Sequence, residues 1–465
     1  MSTNFGLLPR TNLTLAYDFQ KNLCNKGVYT IKIALLDIHK KGDHKDYNGG
    51  YGTSFEVGDS TLAKILSRVR ASSENAPLMN YGYLSAICKD LGHIVYLSEG
   101  GISDDTDLVI VHTTLIRHNE EMQFMADIRK RMKISICTVG PLSSKLPHLF
   151  KVVADAVIIG EPEKLFLKVK SLDDLPIGEA DVGQIEDLDL LPFPDWTIYD
   201  YRKFSLMPAL KKTPMAFVLG SRSCPYKCNY CPYILLEKSY KSRRVGSVVD
   251  ELEFLQSKYG MKSVMFRDPI FTQKRKWVFS LCDEIQTRNI DLEWGCETRT
   301  DRLDEDLIDR MFNAGLRSIK IGVESFDHDF LDEHKRRPPA KEHQEKIISY
   351  AENKGIRIVA FYMLGLPDDN HKSSMDTIKY SQKLNTSFAN FSICTPLPGT
   401  GFYEEMKDKI FDHNFNHYDN FHPVFQGKYL KPDEIKKYQE RALVSYYFRF
   451  QFIWKYFKKG LIGWF

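Results

Sequence analysis

Short apolar runs rich in β-branched residues alternate with helical patterns in the first third of the chain. Five runs have the length of buried strands: IKIALL (31–36), HIVYL (93–97), DLVIVHT (107–113), KISICTV (133–139) and DAVII (155–159). Apolar residues recur at helical spacing between some of them, as in NYGYLSAICKDLG (80–92) and NEEMQFMADIRKRM (119–132). Strands that alternate with helices predict a parallel sheet covered by helices. A Gly-rich stretch at 40–60 follows the first strand and is typical of a loop.

The alternation stops at 171–212, where acidic residues and prolines show no sustained period, and this composition is typical of a linker. It then resumes with six further predicted strands: AFVLGS (216–221), KSVMFRD (262–268), DLEWGCET (291–298), RSIKIGVES (317–325), IRIVAFYMLG (356–365) and FANFSICTP (388–396). Six strand–helix units are too few for an eight-stranded barrel, so the pattern predicts an open, partial one.

The last segment, 411–465, is aromatic and basic and ends in RALVSYYFRFQFIWKYFKKGLIGWF. Aromatic residues interleaved with Lys and Arg are also found in helices that lie at a membrane interface. Here the aromatics lie nearly all around a helical wheel, which favours burial. We expect this segment to close the open side of the barrel and line the substrate entrance, and the membrane interpretation stays as the alternative.

Composition excludes few functions but sets the context. The chain has 465 residues, of which 43% are hydrophobic and 27% charged, as in ordinary globular proteins. Sixty-four basic and 61 acidic residues leave a net charge of +3, which gives no electrostatic reason to expect nucleic acid as a partner. No apolar run approaches 18 residues and the N-terminus lacks a signal-peptide pattern, so we expect a cytoplasmic protein.

Three of the nine cysteines are clustered in SRSCPYKCNYCPY (221–233). Cys224, Cys228 and Cys231 follow a predicted strand with C-x3-C-x2-C spacing, which suits three corners of a [4Fe–4S] cluster and leaves the fourth iron without a protein ligand. A structural zinc site needs four closed ligands, and no partner pair follows nearby. A zinc site without its fourth ligand and a chance grouping of cysteines remain as the less favoured interpretations.

The cysteine motif and the segments after it resemble the radical S-adenosylmethionine (SAM) superfamily over about 213–410. In that family the open iron binds the amino and carboxylate groups of SAM, and electron transfer yields a 5′-deoxyadenosyl radical. The resemblance implies SAM contacts at five positions: Tyr230 at the adenine, Glu297 and Arg299 of ETRTD at the ribose and carboxylate, and Gly322 and Glu324 of IKIGVES on the adenine side. MLGLP (363–367) and TPLPGTGFY (395–403) resemble further strand ends of the same barrel.

Residues 26–170 resemble the cobalamin-binding domain that precedes the barrel in B12-dependent members of the superfamily. The resemblance is carried by HTTLIR (112–117), TVGPLSS (138–144) and GEPEKLF (160–166), and it implies cobalamin contacts at Thr113, Gly140 and Ser143. Asp37, His39 and Gly42 also spell D-x-H-x-x-G, the motif whose histidine binds cobalt from below in mutases and methionine synthase. A histidine in a Lys-rich surface turn is the alternative, so His39 is either a cobalt ligand or a surface residue.

Together these features imply an α/β chain with four parts. They are a Rossmann-like, cobalamin-binding-like parallel-sheet domain at 26–170, a linker at 171–212, a radical SAM core built as a partial (β/α)6 TIM-type barrel at 213–410, and a short helical segment at 411–465.

The resemblance implies an enzyme that methylates an unactivated carbon with methylcobalamin and a 5′-deoxyadenosyl radical. Its cofactors would be a [4Fe–4S] cluster, SAM and cobalamin. The same cofactors would serve an oxidative cyclase or an enzyme that forms or rearranges C–C bonds. A methylthiotransferase acting on RNA is more remote, because it needs three more clustered cysteines and residues 1–200 hold only the separated Cys24, Cys88 and Cys137. A non-catalytic B12 sensor would not need the cysteine motif.

The expected partners follow from the same resemblance. They are a small-molecule or lipid substrate and an electron donor such as flavodoxin or ferredoxin. We expect no nucleic acid partner, and peripheral membrane contact stays open.

Overall fold

The computed structural model describes residues 30–39, 43–44, 51–54, 58–231, 233 and 239–458. Within them lie two six-stranded sheets, one in each half of the chain, and each sheet is parallel throughout. Much of the Gly-rich stretch after the first strand, including Gly42 of the D-x-H-x-x-G motif, lies outside the described residues.

The N-terminal sheet has the strand order β2-β1-β3-β4-β5-β6. Its strands are β1 (Lys32–Leu36), β2 (Ile94–Ser98), β3 (Leu108–His112), β4 (Ser135–Val139), β5 (Ala156–Gly160) and β6 (Gly178–Gly183). All five residues of β3 are buried, as are the last four of β1 and β4, because helices cover both faces. The strand order reverses direction at β1, and ligands of open α/β sheets bind at such a switch point, beyond the carboxyl ends of the strands.

The helices of this half are α1 (Thr61–Ser73), α2 (Met79–Asp90), α3 (His118–Arg131), α4 (Pro141–Lys145) and α5 (Glu163–Phe166). Short 3-10 helices lie at Pro147–Leu149, Leu172–Asp174, Leu188–Leu190, Trp196–Ile198 and Tyr201–Lys203. Two pairs of two-residue strands join Asp43–His44 to Thr53–Ser54 and Glu74–Asn75 to Ser205–Leu206.

Part of the expected linker is ordered as a strand. Within 171–212, strand β6 pairs in parallel with β5 and extends the N-terminal sheet by one strand. Its sequence, GEADVG, has acidic residues and glycine in place of β-branched ones, because the strand lies at the sheet edge and none of its residues is fully buried. The apolar pattern that predicts the other strands is therefore absent here.

The second half forms an open barrel with the strand order β7-β8-β9-β10-β11-β12. Its strands are β7 (Met215–Val218), β8 (Ser263–Phe266), β9 (Glu293–Thr298), β10 (Leu316–Glu324), β11 (Arg357–Leu364) and β12 (Phe388–Ile393). The helices between and after them are α6 (Val245–Tyr259), α7 (Arg275–Thr287), α8 (Glu305–Asn313), α9 (His328–Glu333), α10 (Lys341–Asn353), α11 (His371–Leu384) and α12 (Gly401–Met406). Short 3-10 helices lie at Phe271–Gln273, Thr300–Arg302, Lys407–Lys409 and Phe415–His417.

The predicted fold class is confirmed: a Rossmann-like parallel sheet precedes a partial barrel and a helical C-terminal segment. The last helices, α13 (Pro432–Tyr447) and α14 (Phe450–Lys458), pack against the edge strand β12. Side chains of α13 satisfy polar groups of that edge, since Gln439 Nε2 donates to Phe391 O at 2.8 Å and Tyr447 Oη donates to Ala389 O at 2.7 Å. These bonds cover a strand edge that an open barrel leaves unpaired.

The carboxyl ends of the two sheets face each other. Arg222, just after β7, donates to Glu163, which follows β5, at 2.8 Å. Tyr51, in the segment after β1, donates to the carbonyl of Pro398 beyond β12, also at 2.8 Å. No helix in the described part of the chain is both long enough and apolar enough to cross a membrane.

Candidate active site

The cysteine-bearing loop begins where β7 ends, at the carboxyl end of the barrel. Its base is closed by a pair of two-residue strands, since Ser221–Arg222 runs antiparallel to Lys241–Ser242. Ser223 has a φ of 73°, a left-handed conformation that is uncommon outside glycine, and it turns the chain into the loop just before Cys224.

Asp268, at the end of β8, holds the start of this loop. Its buried carboxylate accepts hydrogen bonds from the Gly220 N–H at 2.9 Å and from Ser221 Oγ at 2.5 Å. Burial raises the pKa of Asp268 to about 6, and the hydrogen bonds from Ser221 and Gly220 oppose that rise. The carboxylate therefore holds the backbone that precedes the cysteines in place, at some cost in desolvation of its charge.

Cys224, Cys228 and Cys231 all line one cavity at the barrel mouth. Burial raises the pKa of the Cys224 thiol, and it raises the pKa of Cys231 to about 12, with further contributions from the neighbouring thiols. No three His, Cys, Asp or Glu side chains in the described ranges are grouped closely enough to hold a single metal ion. A [4Fe–4S] cluster requires a different arrangement, because each thiolate binds a separate iron. Three thiols that line one cavity fit this arrangement.

Arg336 lies beside the cysteines in the turn after α9. Its guanidinium is 3.2 Å from Glu324 Oε1 and donates to Gly322 O at 2.7 Å. Burial opposes the charge of Arg336, but the Glu324 carboxylate and the nearby groups of Tyr230 and Cys228 outweigh it and raise its pKa. A Cβ at Gly322 would lie 2.7 Å from Arg336 Nη2 and would clash with Glu324, so glycine leaves the space for this ion pair.

The guanidinium of Arg299 is occupied by groups of the protein. It donates to Asp301 at 2.8 and 3.0 Å, and to the carbonyls of Arg336 and Arg337 at 2.9 and 2.7 Å. It also stacks over the Tyr226 ring, 4.5 Å from the centroid. Arg299 therefore fixes the turn that carries Arg336 toward the cysteines.

The side chain of Tyr230 lies next to the same ion pair. Its buried hydroxyl has no hydrogen-bond partner among the described residues. Burial and the charge of Glu324 raise its pKa. A buried hydroxyl of this kind requires a polar partner, and a polar atom of a ligand in the adjoining cavity would supply one.

The cavity has a volume of about 530 Å³ and runs from the cysteines down the barrel. Glu297 lines it below the mouth, ion-paired with Arg267 and 3.7 Å from Lys320 Nζ. The far end is closed by side chains of the C-terminal helices: Leu443, Tyr447, Phe452 and Tyr456. The volume is in the range of cavities that bury a small organic ligand.

At the facing sheet edge, the structure brings together the residues after β3 and β4. Thr113 Oγ1 and Ser143 Oγ are 2.9 Å apart, and the Ser143 N–H donates to Thr113 Oγ1 at 3.1 Å. Gly140 has a φ of 99°, and a Cβ there would lie 2.9 Å from the buried His112 ring. The Thr138 hydroxyl beside them is buried with no hydrogen-bond partner among the described residues. These features fit the close approach of a polar ligand group to this edge.

His39 follows β1 at the same edge and is 42% exposed. Its Nδ1 is 3.6 Å from the carboxylate of the buried Asp37. A carboxylate beside one ring nitrogen orients a histidine whose other nitrogen binds a metal. The geometry is compatible with either interpretation of His39.

Comparison with known proteins shows what the barrel is similar to. Residues 218–380 match the family described as the radical SAM superfamily. The match lies within the barrel and covers about a third of the chain. An uncharacterized methyltransferase of Pyrococcus horikoshii is 26% identical over 304 residues, which are 64% of this chain and 65% of the relative. An anaerobic magnesium-protoporphyrin IX monomethyl ester cyclase of Rubrivivax gelatinosus is 29% identical over 266 residues, 56% of this chain and 46% of the relative.

The arrangement of the two halves is also found in a solved radical SAM enzyme. The radical SAM methyltransferase TsrM of Kitasatospora setae, solved with cobalamin and a [4Fe–4S] cluster bound, superposes with a TM-score of 0.60. The match has 15% identity and covers 82% of this chain and 75% of TsrM, so it is a likeness of fold. The chain spans about half to two thirds of the length of the curated relatives named above.

The structure gathers Tyr230, Gly322 and Glu324 around the cysteines of the barrel, while Glu297 lies deeper in the cavity. Three cavity residues were missed by sequence reasoning: Arg267, Lys320 and Arg336. The sequence contains a signal for Lys320, because strand alternation in IKIGVE puts this residue on the same face as Gly322 and Glu324. The sequence contains no such signal for Arg336, which lies in a turn without periodicity.

Proposed function

We propose that this chain is a cobalamin-dependent radical SAM enzyme that methylates an unactivated carbon. The observation that carries the proposal is the meeting of the carboxyl ends of two parallel sheets at one interface. Parallel sheets and barrels bind cofactors at that end. The three cysteines lie on the barrel side of the interface, and Thr113, Ser143 and their neighbours lie on the other.

Each residue group has a role in this proposal. Cys224, Cys228 and Cys231 would hold the cluster, and the Arg336 guanidinium would face the carboxylate of SAM. Thr113, Gly140 and Ser143 would hold cobalamin at the opposite edge. Bound cobalamin would supply a methyl carrier, and the cluster with SAM would supply a hydrogen-abstracting radical.

The walls of the cavity would protect that chemistry from water. Val359 and Phe361 of β11 and Phe388 of β12 line the cavity, and the C-terminal helices close it. These walls would hold the substrate carbon in a fixed place and keep water from a reactive species.

The test uses the full chain, reconstituted anaerobically with iron, sulfide and hydroxocobalamin and supplied with SAM and a reductant. We expect both 5′-deoxyadenosine and S-adenosylhomocysteine, which report radical formation and methyl transfer separately. Cys228→Ala removes a proposed cluster ligand and should abolish 5′-deoxyadenosine formation. A wild-type protein that binds iron but cleaves no SAM would contradict the proposal.

A second candidate is an oxidative cyclase, favoured by the 29% identity to the magnesium-protoporphyrin ester cyclase. It would use the same cofactors and consume SAM only through 5′-deoxyadenosine. Formation of 5′-deoxyadenosine with no S-adenosylhomocysteine would therefore favour the cyclase over the methylase.

Cobalamin retention has its own test. The reconstituted chain should keep the corrin through gel filtration. His39→Ala should change the cobalt electron paramagnetic resonance signal if His39 is a ligand, and an unchanged signal would make it a surface residue.

The partners in this proposal are a small-molecule or lipid substrate and a flavodoxin or ferredoxin as electron donor, in the cytoplasm and without nucleic acid. Peripheral membrane contact through the C-terminal segment is the least supported of these. Cosedimentation of the full chain with anionic liposomes tests it, and a chain that stays in the supernatant contradicts it.

A further inference from the structure

We propose that Arg299 is a positioning residue for SAM, which acts by holding Arg336 where that residue binds the carboxylate of SAM. The inference deepens the proposed function and rests on it, since it concerns the same site. It differs from the role that the resemblance implies for Arg299, in which its own guanidinium contacts SAM. It follows from the groups that occupy the two guanidiniums and from the turn that carries Arg336.

The guanidinium of Arg299 has little capacity left for a ligand. A guanidinium has five N–H groups, and four of those of Arg299 donate to groups of the protein. Two donate to the Asp301 carboxylate at 2.8 and 3.0 Å, and two to the carbonyls of Arg336 and Arg337 at 2.9 and 2.7 Å. Because Asp301 also compensates its charge, Arg299 is a poor partner for a second carboxylate.

The two carbonyls that Arg299 binds belong to a turn with uncommon backbone angles. Lys335 and Arg337, on either side of Arg336, have φ values of 61° and 45°. Residues other than glycine rarely adopt this left-handed conformation, and they keep it where surrounding contacts hold it. The two hydrogen bonds from Arg299 are such contacts. They fix the backbone from which the Arg336 side chain extends.

The Arg336 guanidinium is only partly occupied. Its contacts with the described residues are made by Nη2, which donates to Gly322 O at 2.7 Å and lies 3.2 Å from Glu324 Oε1. Its Nε and Nη1 donate to no group in the described part of the chain. The side chain lines the same cavity as the three cysteines. These two nitrogens are therefore available to a ligand carboxylate, which arginine binds with charge-assisted hydrogen bonds.

Arg299 also connects this turn to the cysteine loop. Its guanidinium stacks over the ring of Tyr226, which lies between the first two cysteines, at 4.5 Å from the ring centroid. The loop and the turn also touch directly, since the Asn229 N–H donates to His334 O at 3.3 Å. Arg299 thus holds the turn at a fixed position relative to the cysteines. A SAM molecule at the cluster would meet an arginine that is already in place.

The probes are SAM and decarboxylated SAM, which lacks the carboxylate, titrated calorimetrically into the full chain after reconstitution of the cluster. The wild type should prefer SAM, and Arg336→Met should lower the ratio of the two affinities by about tenfold, because a charged hydrogen bond is lost. Arg299→Lys should lower the same ratio by about threefold or more, as expected for coupled residues in contact. A lysine keeps the charge but cannot bind two carbonyls and a carboxylate together. The affinity for decarboxylated SAM should stay close to that of the wild type.

A double-mutant cycle separates positioning from direct contact. If Arg299 acts through Arg336, Arg299→Lys should have no further effect on the affinity ratio in a chain that already carries Arg336→Met. A direct contact between Arg299 and SAM predicts that the two effects add.

Arg317→Lys is the matched control. Arg317 Nη1 donates to the carbonyls of Phe312 and Leu316 at 2.8 and 2.7 Å, and its guanidinium lies 4.2 Å from the centroid of the Phe312 ring. Its contacts therefore resemble those of Arg299, but it lies near the amino end of β10, away from the cysteines. The affinity ratio of this variant should be that of the wild type.

Asp301→Asn provides a second variant for the case in which Arg299→Lys assembles no cluster. It weakens the two hydrogen bonds that orient the Arg299 guanidinium and leaves the arginine in place. The affinity ratio should fall in the same direction as in Arg299→Lys and by a smaller factor. Iron content and cluster absorbance of each variant are measured before the titration.

Three results would overturn the inference. They are a preference for SAM that is absent from the wild type or unchanged in Arg336→Met or Arg299→Lys, additive effects in the double variant, and loss of the cluster in both Arg299→Lys and Asp301→Asn. The proposed function is judged separately by the SAM products of the wild type. Coupled effects on SAM binding without SAM cleavage would leave the inference standing and reject the function, and SAM cleavage with additive effects would do the reverse.

Discussion

Several residues other than glycine have a left-handed backbone conformation around the cysteine loop. Ser223 precedes Cys224, Glu324 ends β10, and Lys335 and Arg337 flank Arg336, with φ values between 45° and 73°. Such conformations cost about 1–3 kcal/mol each and persist where surrounding contacts hold them. Arg299 supplies such contacts, because its guanidinium binds the carbonyls of Arg336 and Arg337.

Individual residues could be predicted only where chemistry imposes a spacing. The cysteine motif was visible because three thiolates must reach one cluster from a single loop. Arg336 reaches the same place from 105 positions after Cys231 through a turn, and no local pattern reports that contact. The roles predicted for Glu297 and Arg299 in SAM binding stay predictions, since both side chains pair with protein groups.

If the three clustered cysteines are the cluster ligands, each thiol is needed for cluster assembly and SAM cleavage. Replacing Cys224, Cys228 or Cys231 with Ala should remove the brown cluster absorbance after reconstitution and all 5′-deoxyadenosine formation, because three thiolates hold three of four irons. Cys282→Ala, in a helix remote from the cavity, is the control and should keep both. A full cluster in any of the three variants would reject that residue as a ligand.

The raised pKa of Asp268 predicts that the free energy of unfolding depends on pH. Its pKa is raised by burial from 3.8 to about 6 in the folded state, so the folded protein holds this proton more tightly than the unfolded chain does. The wild type should therefore lose stability relative to Asp268→Asn as pH rises from about 4 to about 6, by about 3 kcal/mol. Urea unfolding of both proteins at several pH values measures this. A difference that is independent of pH would contradict the raised pKa.

At the scale of elements, burial decides what the sequence could predict. The strands of both sheets that lie between helices carry buried apolar residues along their length, and all eleven predicted strands occur in the structure. Edge strand β6 escaped prediction because it needs little apolar surface. The C-terminal helices could be predicted as apolar. Their position against β12 depends on contacts with Asp59, just before α1, and with the strand edge, and both are distant in sequence.

Helix α14 carries apolar side chains on two faces, and only one of them is buried. Phe452 is 1% exposed and lines the cavity, whereas Phe450 on the same helix is 77% exposed. Phe452→Ala should lower the free energy of unfolding by about 3–5 kcal/mol, because it leaves a cavity in packed surroundings. Phe450→Ala is the matched control and should change it by less than about 0.5 kcal/mol. Equal effects in urea unfolding would show that α14 does not pack through Phe452.

For the whole molecule, the central fact is the alignment of two sheets whose carboxyl ends share one interface. Parallel sheets are built from local strand–helix units, so each half could be predicted from its own sequence pattern. Their relative placement depends on a few side chains that cross the interface, such as Arg222 and Tyr51. The proposed reaction needs both cofactor sites at that interface, which makes these crossing contacts a functional requirement.

Arg222 is a buried cation at this interface. It lies 3.4 Å from Glu161 and 2.8 Å from Glu163, with all three side chains at most 6% exposed, and its guanidinium stacks over Tyr83. Arg222→Met should lower the free energy of unfolding at neutral pH by about 3–5 kcal/mol, because it leaves the buried Glu163 carboxylate without its cation. Arg129→Met is the control, since Arg129 pairs with Asp155 at the surface and its loss should cost at most about 1 kcal/mol.

A second substitution separates a lost charge from lost packing in the Arg222→Met variant. Without the guanidinium, the buried Glu163 carboxylate loses its ion-pair partner, and a buried charge without a partner is costly. Adding Glu163→Gln removes that charge and should therefore restore part of the free energy of unfolding at neutral pH, measured by urea unfolding. A defect that Glu163→Gln leaves unrelieved would show that Arg222 joins the two halves through packing over Tyr83.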